Sequence, residues 1–284
     1  MKIFKNKKIL SVFHDAGAAN IGLSYLKHNR IKSQFYCIGP SLKILRNIFP
    51  KAKNSKNLIN EIKKSDVVIT GSSSKNNIEF ITRSYCKKKK IFSLTFLDHW
   101  VNYKNRFKKN NYEVLPDLLI TSDVFSYLKA REVFKKILVK KYPNYYLNDL
   151  IKKIKGMKQG QKLLYFLEPF DNKIEFTALN NFFGILRKHK VFNKEIILRL
   201  HPSEKKNKYN IFIKRLKDFK VKIDEKSSMQ KLIASAKYVF GLESNALVIS
   251  LRAKKKVFTL LPLYNRKFRL PFKKIKNINK LKNF

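Results

Sequence analysis

Cysteine is scarce in this sequence, since Cys37 and Cys86 are the only two among 284 residues. Two thiols cannot build a disulfide framework or a four-thiolate zinc site. Eight glycines and eight prolines exclude a collagen-like or low-complexity chain. Long apolar runs are also lacking: residues 9–13 are too few for a signal peptide, and residues 238–251 are too few for a membrane span. We therefore expect a cytoplasmic protein, in contact with no more than the inner face of the cell membrane.

Acidic residues are few as well. The chain has 19 Asp and Glu against 64 Lys and Arg, a formal net charge of +45. One interpretation is an anionic partner, such as nucleic acid, an anionic membrane or a phosphorylated substrate. The other is coding bias, because only 11 of the 64 are arginine, the side chain preferred for phosphate and base contacts. The lysines are spread along the chain, so we favour coding bias and do not expect nucleic acid as the partner.

Hydrophobic residues make up 44% of the chain, enough to build a core. Short apolar runs alternate with helical patterns, which predicts an α/β fold with parallel sheets. The segment around residues 143–160 breaks this alternation, and the stretch from Gly156 to Gly160 is the predicted linker. We therefore predict two Rossmann-like domains, residues 1–155 and 156–284. The predicted strands cover residues 9–13, 34–38, 66–70, 91–97, 117–121, 162–167, 195–200, 220–224, 237–240 and 256–261.

Ligands of open parallel sheets bind beyond the carboxyl ends of the strands, so the residues there are the candidates for chemistry. His201 and Pro202 follow the strand 195–200, which includes Arg199. A histidine at that position can donate a hydrogen bond to a phosphate, and the proline ends the strand. The alternative is a surface histidine in an ordinary turn.

Residues 241–245, Gly-Leu-Glu-Ser-Asn, follow the strand 237–240 and begin a helix. Free N–H groups and the helix dipole make such a start a site for anions. Ser244 adds a hydroxyl, Asn245 lies in the first turn, and Glu243 can accept hydrogen bonds from sugar hydroxyls. The alternative is plain capping of the helix by Ser244 or Asn245.

A strand ending in Leu-His-Pro, followed about forty residues later by Gly-x-Glu-Ser, resembles the nucleotide-sugar half of GT-B glycosyltransferases. The resemblance is to the bacterial sialyl- and polysialyltransferases and to wall-polymer glycerophosphotransferases. It implies that two domains face a cleft and that His201 and Ser244 bind the donor phosphate. Glu243 replaces the first residue of the family's serine pair, and Glu168 lies where a loop contacts the nucleotide.

Three polar strand ends in the first half are candidates for the acceptor side. His14 and Asp15 end the first strand, and either could act as the general base, with Gly17 close to the substrate. The alternative is that Asp15 caps the next helix. Asp98, His99 and Trp100 end the strand 91–97 and are predicted to contact an acceptor sugar. Their alternative is a buried Asp–His pair with the tryptophan in the core. The serines 72–74 form the third, weaker candidate.

The sequence has no P-loop, no Gly-x-Gly-x-x-Gly after a strand, no nucleophile elbow and no metal-ligand spacing. We therefore expect metal-independent transfer without a cofactor. The donor is a CMP-, CDP- or UDP-linked sugar or polyol phosphate, and the acceptor is a glycan or glycolipid of capsule or lipopolysaccharide. Two alternatives stay open: a basic nucleic-acid-binding protein, and a nucleotide-sugar epimerase on the same fold.

Overall fold

The computed structural model describes residues 2–73 and 76–281, so Ser74 of the serine-rich turn lies outside the described residues. Contacts within the chain divide it into two compact units, residues 1–148 and 149–284. The sequence placed this division after residue 155. No helix in the described parts of the chain is long and apolar enough to cross a membrane.

The N-terminal unit alternates strands and helices along the chain. Its elements, in order, are β1 (Ile9–Phe13), α1 (Ala16–His28), β2 (Gln34–Cys37), α2 (Pro40–Ile48), α3 (Leu58–Lys63), β3 (Val67–Thr70), α4 (Ile78–Lys89), β4 (Phe92–Phe96), β5 (Lys108–Lys109), β6 (Tyr112–Glu113), β7 (Leu118–Thr121), α5 (Val124–Val133), β8 (Leu138–Lys141) and α6 (Tyr145–Lys155). Short 3-10 helices add Lys2–Phe4 and Lys104–Arg106, and α6 continues past the division between the units.

Six strands of this unit form one parallel sheet in the order β2-β1-β3-β4-β7-β8, while β5 and β6 pair as a separate antiparallel hairpin. The chain passes from β1 to β2 on one side and then crosses to β3 on the other. Such a reversal is the topological switch point, where open α/β sheets bind ligands beyond the strand ends. The residues that follow β1 and β3 therefore lie at the switch point of this sheet.

The C-terminal unit repeats the same architecture. Its elements are β9 (Lys162–Phe166), α7 (Asn172–Lys188), β10 (Glu195–Arg199), α8 (Asn210–Lys214), β11 (Lys220–Asp224), α9 (Met229–Ser235), β12 (Ala236–Gly241), α10 (Asn245–Arg252), β13 (Lys256–Thr259) and β14 (Lys276–Asn277), with 3-10 helices at Lys206–Tyr209 and Ile278–Lys280. The six strands are parallel in the order β11-β10-β9-β12-β13-β14. This is the Rossmann order, and its switch point lies between β9 and β12.

Each sheet is buried because helices cover its faces, which explains the nearly continuous apolar strands in the sequence. All five residues of β1 are buried, and so are five of the six residues of β12, Lys237 being the exception. The core of the C-terminal unit is aromatic: Phe182 packs against Phe240 and Phe183 at ring distances of 4.8 and 5.0 Å. Tilted and edge-to-face pairs of this kind stabilise by about 0.5–1.5 kcal/mol each beyond the area that they bury.

The structure confirms the predicted α/β fold with parallel sheets, and each predicted strand has a counterpart. The predicted break in the alternation over residues 143–160 was wrong up to residue 155, because α6 lies there, and β8 before it was not predicted. Only Val139 is buried in β8, which lies at the edge of its sheet, and only Leu150 and Ile154 are buried in α6. β8 has a single buried position, so little alternation marks it in the sequence. In α6 the residues Leu147, Leu150, Ile151 and Ile154 do recur at helical spacing, a signal that the sequence analysis missed.

Candidate functional site

The switch point of the C-terminal sheet is occupied by a carboxylate of the protein itself. Glu168 follows β9 and is 5% exposed. Its Oε1 accepts hydrogen bonds from the backbone N–H groups of Leu242 at 2.8 Å, Glu243 at 2.9 Å and Ser244 at 3.1 Å. Burial raises the pKa of Glu168 to about 7, although these N–H groups lower it. Three of the backbone N–H groups that the sequence analysis assigned to a phosphate are therefore already hydrogen-bonded to Glu168.

The first turn of α10 keeps polar groups beyond those bound by Glu168. Ser244 is the N-cap residue, but its side chain makes no capping hydrogen bond, contrary to the capping alternative. The Oγ atom of Ser244 is buried and has no hydrogen-bond partner among the described residues. The N–H groups of Asn245 and Ala246 belong to the first turn of α10, whose N–H groups have no acceptor within the helix itself. The Ser244 hydroxyl is therefore a buried polar group without a partner among the described residues, at the start of a helix.

Glu243 is bound by two arginines that the sequence interpretation did not include. Arg269 donates to its carboxylate from the backbone N at 2.8 Å and from Nη2 at 2.7 Å, and Arg266 donates from Nη2 at 3.3 Å. Burial opposes ionisation of Glu243, but the contacts with Arg269 and Arg266 outweigh it and lower its pKa. The Arg266 guanidinium also lies 4.0 Å from the ring centroid of Phe170. The carboxylate is therefore held in an ion-pair network, which differs from the predicted sugar contact.

His201 and Pro202 follow β10 in a turn in which the Glu204 N–H bonds to the His201 carbonyl at 2.9 Å. The Nδ1 atom of His201 accepts from the Ser203 N–H at 3.2 Å and lies 2.7 Å from the Ser203 Oγ. An accepting Nδ1 places the ring proton of the neutral histidine on Nε2, which is then a donor. The contact from the Ser203 N–H thus favours the Nε2–H tautomer of a neutral His201.

Arg199, a predicted phosphate ligand, is paired within the sheet. Its Nη1 atom lies 2.6 Å from Asp224 Oδ1 on the neighbouring strand β11. The hydroxyl and N–H of Ser227 bind the same carboxylate. Burial opposes ionisation of Asp224, but the Ser227 and Arg199 contacts outweigh it and lower its pKa. The structure therefore places Arg199 in a link between β10 and β11, not in a free position.

In the N-terminal unit, His14 and Asp15 follow β1 as a hydrogen-bonded pair. His14 Nδ1 lies 2.6 Å from Asp15 Oδ1, and the two side chains are 21% and 31% exposed. Asp15 has the backbone position of an N-cap of α1, but its side chain makes no capping hydrogen bond, contrary to the capping alternative. A neutral His14 that donates from Nδ1 to Asp15 keeps the Nε2 lone pair for a proton.

Asp98, which follows β4, lies against the start of α1. A Cβ atom added to Gly17 would lie 1.9 Å from Asp98 Oδ2, so only glycine fits there. The other oxygen, Oδ1, lies 3.3 Å from the Ser72 Oγ and 3.5 Å from Arg106 Nη1. The ends of β1, β3 and β4 thus bring together four of the predicted residues: His14, Asp15, Gly17 and Asp98.

Trp100 is tied to α5, because its Nε1 donates to Asp123 Oδ2 at 2.8 Å and Asp123 caps that helix. The rings of His99 and Trp100 lie 5.9 Å apart, and both residues are partly exposed, as is Asp98. The alternative of a fully buried Asp–His pair with tryptophan in the core is therefore not what the structure shows.

Two charged residues of α4 were missed by the sequence analysis. Glu79 accepts from the N–H of His14 at 3.1 Å and of Ser73 at 2.5 Å, so it joins the ends of β1 and β3 at the switch point. Burial raises the pKa of Glu79 to about 6. Arg83 donates to the Gly71 carbonyl at 2.9 Å, and burial lowers its pKa to about 10. Their four-residue spacing places them on one helix face, but nothing in the sequence shows that this face is buried.

The structure groups the predicted residues into two sets, one in each unit. The N-terminal set is His14, Asp15, Gly17 and Asp98, with His99 and Trp100 beside them. The C-terminal set is Glu168, Glu243, Ser244 and Asn245 at one switch point, and His201 and Pro202 after β10. Among the described residues, no group of three or more His, Cys, Asp or Glu is placed to hold a metal ion.

Solved structures share this fold at low sequence identity. The UDP-GlcNAc 2-epimerase of Methanocaldococcus jannaschii, solved with UDP-GlcNAc and UDP, is 15% identical, with 89% of this chain and 83% of that chain covered and a TM-score of 0.61. The UDP-GlcNAc 2-epimerase of Neisseria meningitidis bound to UDP-GlcNAc is 14% identical, with 89% of this chain and 82% of that chain covered and a TM-score of 0.62. The S. aureus MnaA structure with UDP is 12% identical, with 90% of this chain and 79% of that chain covered and a TM-score of 0.64.

These likenesses identify the class of fold. The chain has the GT-B-like α/β architecture, with two parallel six-stranded sheets, which confirms the predicted fold class. No family model matches the sequence, and no curated protein matches it. No sequence-level finding supports a link to the His-Pro-motif sialyltransferases, and the likeness to epimerases concerns the fold alone.

Proposed function

We propose that the protein is a nucleotide-sugar enzyme whose C-terminal unit binds the donor phosphate. The observation that carries this proposal is the first turn of α10 at the switch point, where the buried Ser244 Oγ has no partner. The phosphate accepts from this hydroxyl, from the N–H groups of Asn245 and Ala246, and from His201 Nε2. Solved proteins of the same fold that bind UDP-GlcNAc or UDP support this assignment.

Two carboxylates near a phosphate would repel it unless their charge were offset. Glu168 is offset by three backbone N–H groups, and Glu243 is offset by Arg266 and Arg269. Glu168 also fixes the loop that precedes α10, which sets the direction of the Ser244 hydroxyl. In this proposal neither glutamate touches the sugar, and both hold the loop in place.

The proposed reaction is metal-independent transfer of a sugar or polyol phosphate to a hydroxyl of a surface glycan. The acceptor hydroxyl gives its proton to His14 Nε2 while Asp15 accepts the hydrogen bond from His14 Nδ1. The acceptor oxygen forms a bond to the anomeric carbon, or to phosphorus in the polyol-phosphate case. The bond to the nucleotide breaks, and the nucleotide leaves with the electron pair. His201 and the α10 N-terminus stabilise its charge.

The acceptor side of the proposal uses the other residues of the N-terminal set. Asp98, held by Ser72 and Arg106, accepts hydrogen bonds from acceptor hydroxyls, and Trp100 stacks on the apolar face of the sugar. We propose a capsule or lipopolysaccharide glycan as the acceptor, at the inner face of the cell membrane.

An epimerase is the second candidate, because the solved structures that share this fold at TM-scores of 0.61 and 0.62 are UDP-GlcNAc 2-epimerases. In that case the same C-terminal unit holds the nucleotide, and no acceptor takes part. Incubation of each nucleotide-sugar with and without a glycan acceptor separates the two: an epimerase changes the sugar in the absence of acceptor, and a transferase releases nucleotide only when acceptor is present.

Donor binding itself is tested by thermal stabilisation with CMP-, CDP- and UDP-linked sugars. A ligand at about 100 times its Kd adds roughly 2.7 kcal/mol to the free energy of unfolding. We expect Ser244→Ala and His201→Ala each to weaken donor binding about tenfold or more, because a hydrogen bond to a charged group contributes about 1.5–3 kcal/mol.

The matched control is Ser228→Ala, at the N-cap of α9. Ser228 does cap its helix, accepting from the Lys231 N–H at 3.4 Å, so its removal should lower stability and leave donor binding unchanged. The proposal is falsified if no nucleotide-sugar stabilises the protein, or if Ser244→Ala and Ser228→Ala bind the donor equally well.

A further inference from the structure

Two buried carboxyl groups follow β9 at the switch point of the C-terminal sheet. Glu168 lies in the loop after this strand, and Glu175 lies in the first turn of α7, which that loop leads into. They are 5% and 0% exposed, the Glu168 N–H donates to the Glu175 carboxyl, and the two charges repel each other. We name Glu168 and Glu175 the carboxyl pair. Because both groups are buried side by side, the pair is stabilised when it retains a proton.

The other groups that face Glu175 do little to stabilise its charge. The Tyr165 hydroxyl, from β9, is buried and has no hydrogen-bond partner among the described residues. Lys208 interacts with Glu175, but its Nζ lies 2.6 Å from the Glu204 carboxylate, and the Tyr209 hydroxyl donates to the same carboxylate at 2.8 Å. Burial opposes ionisation of Glu204, but these contacts outweigh it and lower its pKa. Lys208 and Tyr209 therefore stabilise Glu204 as an anion, and Glu175 lacks a cation of its own.

The carboxyl pair is connected to the candidate phosphate site through Glu168. Its Oε1 accepts from the Ser244 N–H at 3.1 Å, and the hydroxyl of Ser244 is the group assigned to the donor phosphate. Glu243 also faces Glu168, and its charge is offset by Arg266 and Arg269. A phosphate at the first turn of α10 therefore adds negative charge beside Glu168, while these two arginines are already paired.

We propose that the carboxyl pair takes up a proton from solvent when a donor phosphate binds at the first turn of α10. This inference rests on the proposed function and adds how the same site responds to pH. Negative charge nearby disfavours an ionised carboxyl, so phosphate binding and proton uptake favour each other. The two carboxyls titrate as a coupled pair, so the proton belongs to the pair and not to one residue.

The linkage determines how donor affinity varies with pH. Burial raises the pKa of Glu168 to about 7 and that of Glu175 to about 8, so the free protein loses protons from the pair across this interval. A bound phosphate shifts both losses to higher pH. Donor affinity should therefore fall as the pH rises from 6.5 to 8.5, because binding then requires a proton that the free protein has already released.

Calorimetric titration of the full chain with UDP-GlcNAc, a CMP-linked sugar and a CDP-linked sugar measures the uptake. The phosphates of these compounds do not titrate near neutral pH, so the protons counted belong to the protein. Repeating each titration at pH 7.5 in buffers of different ionisation enthalpy gives the number of protons bound per donor. We expect about 0.5–1 proton for the wild type, and a Kd that rises about threefold to tenfold from pH 6.5 to pH 7.5.

Glu175→Gln keeps the shape of the side chain and removes one titrating group of the pair. The variant should take up less than about half as many protons as the wild type at pH 7.5. Proton uptake at His201, which also lies at the proposed site, is present in both proteins and cancels in the difference. The matched control is Glu195→Gln: this half-exposed carboxylate begins β10 and pairs with Lys162, so its loss should leave the uptake unchanged.

Equal uptake by the wild type and Glu175→Gln would overturn the proposal, since the protons would then bind elsewhere. Donor binding without uptake would also overturn it and leave the proposed function intact, whereas failure of every nucleotide-sugar to bind would contradict both. If Glu175→Gln does not fold, NMR of the wild type with 13C-labelled glutamate carboxyls replaces it. At least one buried carboxyl must then titrate at higher pH with donor than without, and unchanged titration would overturn the proposal.

Discussion

At the scale of single residues, Glu168 and Glu79 have the same structural role in two different sheets. Each is a buried carboxylate that accepts backbone N–H groups beyond the strand ends at a topological switch point. Open α/β sheets use this position to bind anionic ligands, and here each sheet supplies an anion of its own. In the proposed function, a substrate phosphate therefore binds beside Glu168, at the first turn of α10.

Glu168→Ala should destabilise the protein by about 2–4 kcal/mol, because it leaves three buried N–H groups without an acceptor. Added acetate should raise the unfolding midpoint of this variant more than that of the wild type, since a free carboxylate can occupy the vacated position. Urea denaturation with and without acetate measures both effects. Glu195→Ala, which removes a half-exposed partner of Lys162, should cost less than about 1 kcal/mol. Equal losses in the two variants would contradict this role of Glu168.

At the scale of elements, the start of α1 depends on a glycine that only its tertiary contacts explain. Gly17 lies in the first turn of a helix, where glycine is otherwise less favourable than alanine by about 1 kcal/mol. The carboxylate of Asp98 occupies the space that a Cβ atom needs. Gly17 therefore allows α1 to lie close to the end of β4.

Gly17→Ala should destabilise the protein by about 1–3 kcal/mol, because the added methyl group displaces Asp98 from Ser72 and Arg106. Gly184→Ala is the matched control: it lies in the middle of α7, and no atom is within 4 Å of an added Cβ. That substitution should be neutral or should stabilise by about 0.5–1 kcal/mol through helix propensity. Urea denaturation of both variants checks the pair, and a neutral Gly17→Ala would show that Asp98 can move away without loss.

At the scale of the whole molecule, buried glutamates determine how stability varies with pH. Burial raises the pKa of Glu79 to about 6, of Glu168 to about 7 and of Glu175 to about 8. Between their unfolded values near 4.5 and these folded values, the unfolded chain has released protons that the folded chain retains. Rising pH therefore favours unfolding in this interval, and the free energy of unfolding should fall from pH 5 to pH 8.

Below pH 4.5 the free energy of unfolding instead falls as the pH falls, because of carboxylates whose pKa values are lowered. Glu204, Asp224 and Glu243 have such values because their hydrogen bonds and ion pairs outweigh burial, and they lose these contacts when protonated. Stability should therefore be greatest near pH 5.

Glu175→Gln tests the buried carboxyl that contributes most to this dependence. Glu175 is fully buried, and the backbone hydrogen bond from Glu168, which favours the ionised carboxylate, does not offset the cost of burial. The uncharged amide does not titrate, so the variant should lose less stability than the wild type between pH 5 and pH 8, by an amount on the order of a few kcal/mol. Urea denaturation at the two pH values measures this difference. An equal loss in both proteins would mean that Glu175 finds a partner or water when ionised.

The α/β class, the strands and the polar residues after them follow from the sequence alone, because strand and helix periodicity and turn chemistry are properties of neighbouring residues. That local signal led to His14, Asp15, His201 and Ser244. It could not reveal β8, which has one buried position, whereas the helical spacing of Leu147, Leu150, Ile151 and Ile154 could have revealed α6.

Tertiary structure alone decided the order of the strands and which charges pair. Glu168 lies 74 residues before Leu242, and Glu79 lies 65 residues after His14. Whether such distant groups meet depends on which strands are neighbours, and no local pattern encodes that order. For the same reason, the acidic residues that most affect the pH dependence of stability are the buried ones. Their tertiary neighbours set their pKa values, and the number of acidic residues in the sequence does not.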